Sequence, residues 1–387
     1  MELRYGNIDE NVRKRSVRDV ILREGLRQAD GAGNKCFTGV FSAVSPMVSS
    51  GIAGKLAFHG AVNHLAADGL RAEVFYPSIL LPFGTREKTL RDLIRQICKE
   101  ASPLGIRVQE GNTEVTDAVT KALVIGTAAG NPFFNKGSGK GLPSDRKYDT
   151  DPDIDLNNKD TVREIKDINV IKDINVTKDI KDIRGQKEIP GRKGDDKIKK
   201  SGDYAGMEIV MAGFVGIEGT YILTSEAGEE LGKRFPEPFL RRAGSLGYCL
   251  SAAPAAETAC RDENTVVMEA LSDGGVFTGL WKLSAKTGCG MEVCLQDIPL
   301  LQETIEITNY CGINPYLMRS LGGLLIASKD GAALAGSLRD RGIHAARIGF
   351  LHSGKDRILR NGEEVRYLDR PQTDSLSEYL RGQNRGS

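Results

Sequence analysis

Two adjacent glycines, Gly274 and Gly275, stand immediately before the apolar helical stretch VFTGLWKL, where the free N–H groups of a helix start could hold a phosphate. The same pair also suits a tight turn into close packing. Asp273 just before them reads as the helix cap, and its charge works against a phosphate immediately beside it. A second set lies on GIAGKLAFHGAVNHLAADG, whose small and apolar residues recur at helical spacing. Lys55 there is either a phosphate contact or a solvated charge. Asn63 and His64 either line a groove or form a hydrogen-bonded pair at an interface. Glu218, between Gly216 and Gly219, reads as a turn residue, and the single tryptophan, Trp281, as core.

Other chemistries find no matching pattern. Seven cysteines and four histidines include no zinc-site spacing, and Cys98, Cys249, Cys294 and Cys311 sit in apolar contexts, as buried small hydrophobes do. GSGKG at 137–141 is not a phosphate-binding P-loop, because Phe134 and Gly141 stand where that loop needs glycine and a hydroxyl residue. The 53 basic residues nearly cancel the 52 acidic ones, which removes any general electrostatic reason for nucleic acid or an anionic membrane as partner. No apolar run approaches the ~20 residues that span a bilayer, and MELRYGNIDENVRKRSVRDV has no apolar secretory core, so a cytoplasmic protein is expected.

The elements that must position these residues alternate between strand and helix, which predicts an α/β protein with α+β layers. Residues 1–27 read as a helical extension around VRDVILREGL, and 28–135 as a first folded unit. EVFYPSILLP reads as a buried strand. The clearest helix starts near Gly84, with Thr85 as its cap. Leu90, Leu93, Ile94, Ile97, Cys98 and Ala101 form its apolar stripe, and Pro103 and Gly105 end it. Residues 136–203 are rich in Lys, Asp and Gly and contain the near-repeat KDINVI, KDINVT, KDIKDI, which predicts a disordered charged insert. Residues 204–368 read as a second folded unit. Its strands are MEIVMA, NTVVMEAL, GMEVCLQDIPL, GGLLIAS and HAARIGFLHSG, with helices at GGVFTGLWKLSAKTG and DGAALAGSLRDRG. Residues 369–387 read as a flexible tail.

The stretches GKLAFHGAVNHLAADG, EGNTEVTDAV, VGIEGTYIL, LSDGGVFTGLWKL with its following IPL, and GGLLIASKDG occur in an order that resembles the AIR synthase-related, PurM-like superfamily, with the HypE-like hydrogenase maturation factors as the nearest group. The resemblance covers about 20–130 and 204–368. It implies a two-domain fold in which amino-terminal sheets of two subunits pair into a barrel, giving a homodimer. The carboxyl-terminal α/β domain would close over an ATP groove. It also implies ATP and Mg²⁺ as cofactors, the metal held by Asp carboxylates as a hard cation requires. Carried over residue by residue, it marks Lys55, Asn63, His64, Asn112, Thr113, Gly274 and Gly275 as nucleotide-binding positions. Asp30 and Glu114 remain as the catalytic or metal-ligating carboxylates.

This sequence departs from the family where the metal would sit. Val40, His64, Asn112 and Ala270 occupy positions that the family fills with metal-binding residues, mostly Asp, and the chain ends RGQNRGS without the family's terminal cysteine. A valine, an imidazole, an amide and a methyl do not replace carboxylates around Mg²⁺. Three functions are therefore in play. The first is a degenerate HypE-like protein with a regulatory or scaffolding role, retaining a nucleotide or small phosphorylated ligand at most. The second is an active ATP-dependent enzyme acting on a carbamoyl, amide or phosphate-bearing substrate through Asp30, Glu114, Glu269 and Asp273. The third is a partner-binding module that works through 136–203.

Overall fold

The computed structural model describes residues 6–7, 10–23, 37–134, 201–371 and 373–383. Asp30 and nearly all of the 136–203 segment lie outside the described residues. The amino-terminal helical segment consists of α1 (Glu10–Arg13), a π-helical turn (Lys14–Arg18) and α2 (Asp19–Arg23). Val12, Val17, Val20 and Ile21 bury it in the core, and Arg15 and Ser16 tie it to Glu87.

The first sheet has six strands: β1 (Gly6–Asn7), β2 (Gly39–Val44), β3 (Leu70–Pro82), β4 (Arg107–Val108), β5 (Asn112–Thr116) and β6 (Leu123–Pro132). Their order is β1-β5-β3-β6-β2, with β4 on β3. One face carries α3 (Ser50–Ala67) and α4 (Glu87–Leu104). The α4 stripe forms as its spacing predicts, since Leu90, Leu93, Ile94, Ile97, Cys98 and Ala101 are all fully buried. Thr85 does not cap this helix: Arg86 occupies the cap position, and the Thr85 hydroxyl instead closes the preceding turn by donating to the Pro82 carbonyl at 2.6 Å. Pro103 lies in the last turn, and Gly105, at φ 67°, ends it. The small residues of α3 set how closely it packs. A Cβ on Gly60 would lie 2.9 Å from the Ala43 Cβ, and one on Gly126 would lie 2.7 Å from the Ala57 carbonyl oxygen.

Among the described residues, no helix covers the other face of this sheet. The register Val44–Ile125–Ser78, Ser42–Thr127–Tyr76 and Leu123–Leu80 places these side chains together on it. Val40, Val44 and Tyr76 on this face are 61%, 53% and 40% exposed.

The second half begins with β7 (Glu208–Ala212), α5 (Ile217–Glu226), α6 (Gly228–Gly232), α7 (Glu237–Ser245) and α8 (Ala253–Arg261). Then come β8 (Thr265–Ala270), α9 (Gly275–Thr287), β9 (Gly290–Cys294), α10 (Gln302–Cys311), β10 (Leu324–Ser328), α11 (Gly331–Asp340) and β11 (Ala345–His352). A hairpin of β12 (Arg357–Asn361) and β13 (Glu364–Tyr367) completes a seven-stranded sheet ordered β13-β12-β9-β11-β7-β10-β8. Neighbours in it are antiparallel except β12 with β9. Both faces are covered. Ile209 and Met211 of β7 join the cluster with Val276, Leu280 and Leu283 of α9, while Val210 and Ala212 join Ala255, Ala256, Leu334 and Leu338 of α8 and α11. The continuous apolar run of β10 follows from this, because every residue of it is buried. Ala66 and Ala67 of α3 enter the α8–α11 cluster and join the two halves.

The expected flexible tail instead carries α12 (Ser375–Gln383). Asp374 accepts from the Leu376 and Ser377 N–H groups at its start, and Leu376 is buried while Tyr379 and Leu380 pack on the core. No described helix is long and apolar enough to cross a membrane.

Candidate functional site

The glycine pair forms the turn from β8 into α9, with φ of 75° at Gly274 and 63° at Gly275. A Cβ on Gly275 would lie 2.5 Å from the Tyr316 carbonyl oxygen and 2.6 Å from that of Met318, so only glycine fits. The Gly274 N–H, which sequence reasoning offered to a phosphate, donates to the Asp374 carboxylate at 2.9 Å. Asp374 is 2% exposed, and burial raises its pKa to about 6 although the Gly274 N–H and the Arg319 charge oppose the rise. Asp273 does not cap α9. Its carboxylate meets the Arg319 guanidinium, whose Nε donates at 2.8 Å to Glu218. Glu218 is fully buried in the first turn of α5 rather than in a loop, and its other oxygen accepts from the Leu321 N–H at 3.1 Å. Gly216, at φ 74°, leads into α5 and donates its N–H to Ser320 Oγ at 2.8 Å. Residues 318–321 thus stitch together the starts of α5 and α9.

On α3, the polar residues at one-turn intervals all turn inward. Lys55 Nζ lies 2.9 Å from Glu100 Oε1 and 4.8 Å from the Tyr248 ring centroid. His59 Nε2 lies 2.9 Å from Glu100 Oε2. Burial alone would raise the Glu100 pKa, but its contacts with His59 and Lys55 outweigh it and hold the carboxylate at about 2. Burial lowers the His59 pKa, against the pull of Glu100. Asn63 donates to the Leu250 carbonyl at 2.7 Å and accepts from the Ala252 N–H at 2.8 Å. Both ends of its amide therefore clamp α3 to the loop before α8.

His64 points elsewhere. It stacks on Phe41 with centroids 4.5 Å apart and lines a groove of about 460 Å³ with Asp68, Glu269, Lys282 and Lys286. Burial, then the charges of Lys282 and Lys286, lower its pKa to about 4, so it is a neutral imidazole at pH 7. Glu269 is held by Lys286 at 2.6 Å.

The remaining positions do not converge on this groove. In β2, Phe41 faces α3 while Val40 faces the uncovered side of the sheet. Asn112 and Glu114 of β5 pair with Ser78 and Leu80 and share that uncovered side, whereas Thr113 is buried beneath the helices. Strands β3 and β6 separate β5 from β2, which is about 14 Å at normal strand spacing. Ala270 points away from Glu269 into an apolar cluster with Ala66, Ala67, Ala252 and Leu324. Among the described residues, no group of three or more His, Cys, Asp or Glu is placed to hold a metal ion.

Sequence reasoning missed Arg319, Glu100 and Asp374 as structural polar groups. Asp374 carried a signal, since TDSLSEYL has the form of a capped helix start. Arg319 and Glu100 carried none, because their partners are 101 and 41–45 residues away.

No family model matches the chain. It is similar to the carbamoyl dehydratase HypE of Rhodobacter capsulatus, at 22% identity over 350 residues, 88% of this chain and 83% of the relative. The crystal structure of the hydrogenase maturation protein HypE in complex with ATP superposes with a TM-score of 0.62 at 18% identity, covering 93% of this chain and 94% of that one. Thiamine-monophosphate kinase from Stenotrophomonas maltophilia superposes with a TM-score of 0.55 at 15% identity, covering 89% and 95%. The chain has the fold of the AIR synthase-related, PurM-like superfamily, and its resemblance runs to the HypE-like group within it.

Proposed function

We propose that this is a HypE-like protein of the cytoplasm with a degenerate nucleotide–metal site, acting as a homodimeric regulator or scaffold rather than as an ATP-dependent enzyme. The observation that carries the proposal is Ala270. Where the family resemblance calls for a metal-binding carboxylate, a methyl group packs into a cluster of small apolar residues. A carboxylate there would be buried without a partner. The surroundings agree. The α9 start that would receive a phosphate already holds Asp374, the Asn63 amide is used at both ends, and His64 is a neutral imidazole packed on Phe41. Mg²⁺ requires hard oxygen ligands, and these residues do not fit Mg²⁺–ATP.

The active-enzyme reading needs Asp30, Glu114, Glu269 and Asp273 to act together. Glu269 and Asp273 belong to separate ion pairs, and Glu114 lies on the uncovered side of the first sheet. The dimer reading is supported by that same uncovered face, where Val40, Val44 and Tyr76 meet solvent.

Calorimetric titration with ATP, with and without Mg²⁺, tests the proposal. We expect no Mg²⁺-dependent binding at millimolar nucleotide. Tight binding that requires Mg²⁺ would overturn the degenerate reading and put the enzyme first.

A further inference from the structure

A cavity of about 290 Å³ lies in the second half, away from the groove that His64 lines, between α9, α10 and the chain that follows β13. Its interior is apolar, built from Phe277, Leu295, Ile305, Tyr316, Leu359 and Leu368. Phe277 and Tyr316 stack on each other, 5° from parallel with centroids 5.2 Å apart, so one face of each ring is already covered. The hydroxyls and the amide nearest this interior have partners or point away. Thr308 donates to the Thr304 carbonyl at 2.7 Å, and Asn314 accepts the Tyr316 N–H at 3.0 Å. The Thr278 hydroxyl is turned to the α9 start, where a Cβ on Gly274 would lie 2.3 Å from its oxygen.

Charge is confined to the opening, since Arg366, Asp369 and Arg370 line the cavity and are all exposed. Arg366 stands opposite Leu359 in the β12–β13 hairpin, so its apolar stem follows the same wall. Its guanidinium pairs with Glu364, an exposed contact that can be exchanged for another carboxylate at little cost. Arg370 has no ion pair or hydrogen bond among the described residues. Glu364 does not line the cavity, so within the lining two guanidinium groups stand against the one carboxylate of Asp369.

We propose that this cavity binds a free medium-chain aliphatic carboxylate, with its chain inside and its carboxylate at the opening beside Arg370 and Arg366. An apolar interior with charge only at the rim fits a molecule that is divided in the same way. The two-to-one excess of guanidinium groups selects an anionic head, and the fork of each matches a carboxylate. Leucine and isoleucine make up most of the remaining wall, which favours a flexible chain over a rigid ring system. The volume is at the lower end of small-molecule sites and suits roughly ten non-hydrogen atoms. This site is independent of the degenerate-site proposal, since it shares none of the residues on which that proposal rests.

The test titrates the whole protein with sodium octanoate, using calorimetry and ligand-observed NMR, with octan-1-ol and octylammonium as comparisons of equal chain length. Octanoate should bind with a dissociation constant of about a millimolar or tighter. Octan-1-ol should bind at least ~3-fold more weakly and octylammonium at least ~10-fold. Ile305→Phe fills the cavity from α10 and should weaken octanoate at least ~10-fold. Arg370→Ala changes an exposed side chain and should weaken octanoate ~3-fold or more while leaving octan-1-ol unchanged, which keeps the test decisive where the larger side chain disturbs folding. Unaltered octanoate affinity in either variant, at an unchanged melting temperature, would overturn the proposal. So would octan-1-ol or octylammonium binding as tightly as octanoate, or no octanoate binding to the unaltered protein at ~10 mM.

Discussion

The two sheets solve the same problem differently. The seven-stranded sheet buries alternate residues of β7 against α9 on one side and against α8 and α11 on the other, so it is complete within one chain. The six-stranded sheet carries α3 and α4 on one side and, among the described residues, presents Val40, Val44 and Tyr76 to solvent on the other. The difference shows where each half gets its stability. The second half depends on internal polar stitching between tightly packed elements. The first half leaves the apolar side chains Val40, Val44 and Tyr76 exposed to solvent.

The strongest way to break the comparison is to cut the stitching. Arg319→Met leaves Glu218 fully buried without its cation and also frees Asp273. Breaking a buried pair from one side costs about 3–5 kcal/mol, and urea denaturation should show a loss of that size. A loss below ~1 kcal/mol would mean that the Arg319 bridge does not hold the α5 and α9 starts together.

Ala270→Asp probes the same half with a sharper question. Placing a carboxylate among Ala66, Ala67 and Ala252 should destabilise the protein by about 2–4 kcal/mol. Mg²⁺ should not restore the melting temperature. Recovery on adding Mg²⁺ would show that the other ligands are still in place, and the degenerate reading would fail.

Asp374 gives a pH signature for the tail that closes the second half. Its pKa is raised from 3.8 to about 6, so the folded state favours the neutral carboxyl. Above pH 6 the full cost of the charged form is present. As pH falls from 6 to 4 the folded protein takes up a proton that the unfolded chain does not, and this contribution to stability rises by about 2–3 kcal/mol. Asp374→Asn removes the titration while retaining an acceptor for the Gly274 N–H. The wild-type stability minus that of the variant should therefore rise on acidification through this window. A difference that stays flat from pH 7 to pH 4 would place the Asp374 carboxyl in water instead of against α9.

What the sequence disclosed follows the same division. The α4 stripe and the β10 run were legible because periodicity is local and burial enforces it. The insert's composition was legible too, but it falls outside the described residues. The candidate site was legible only as a list of positions. Neighbouring residues in the sequence turned out to face opposite ways, as Val40 and Phe41 do on β2 and Glu269 and Ala270 do on β8. Strand alternation decides those directions, and its phase depends on register, which is set by distant partners. The ends of Asn63, Arg319 and Glu100 were fixed by residues 41 to 189 positions away, and no local pattern encodes such pairs.

The smallest effect on the chain itself should come from Val40→Lys with Val44→Lys on β2. Both side chains already meet solvent, so each replacement should change the stability of the single chain by no more than ~0.5 kcal/mol. The effect on assembly should be large. If two of these sheets pair face to face or edge to edge, four lysines enter one interface, where their charges repel each other and lose water. Sedimentation should then show a dimer for the unaltered protein and a monomer of nearly unchanged melting temperature for the variant. A variant that remains dimeric would move the interface away from β2. An unaltered protein that is monomeric at ~100 µM would remove the dimer altogether, and the open face of the first sheet would then need a different covering partner.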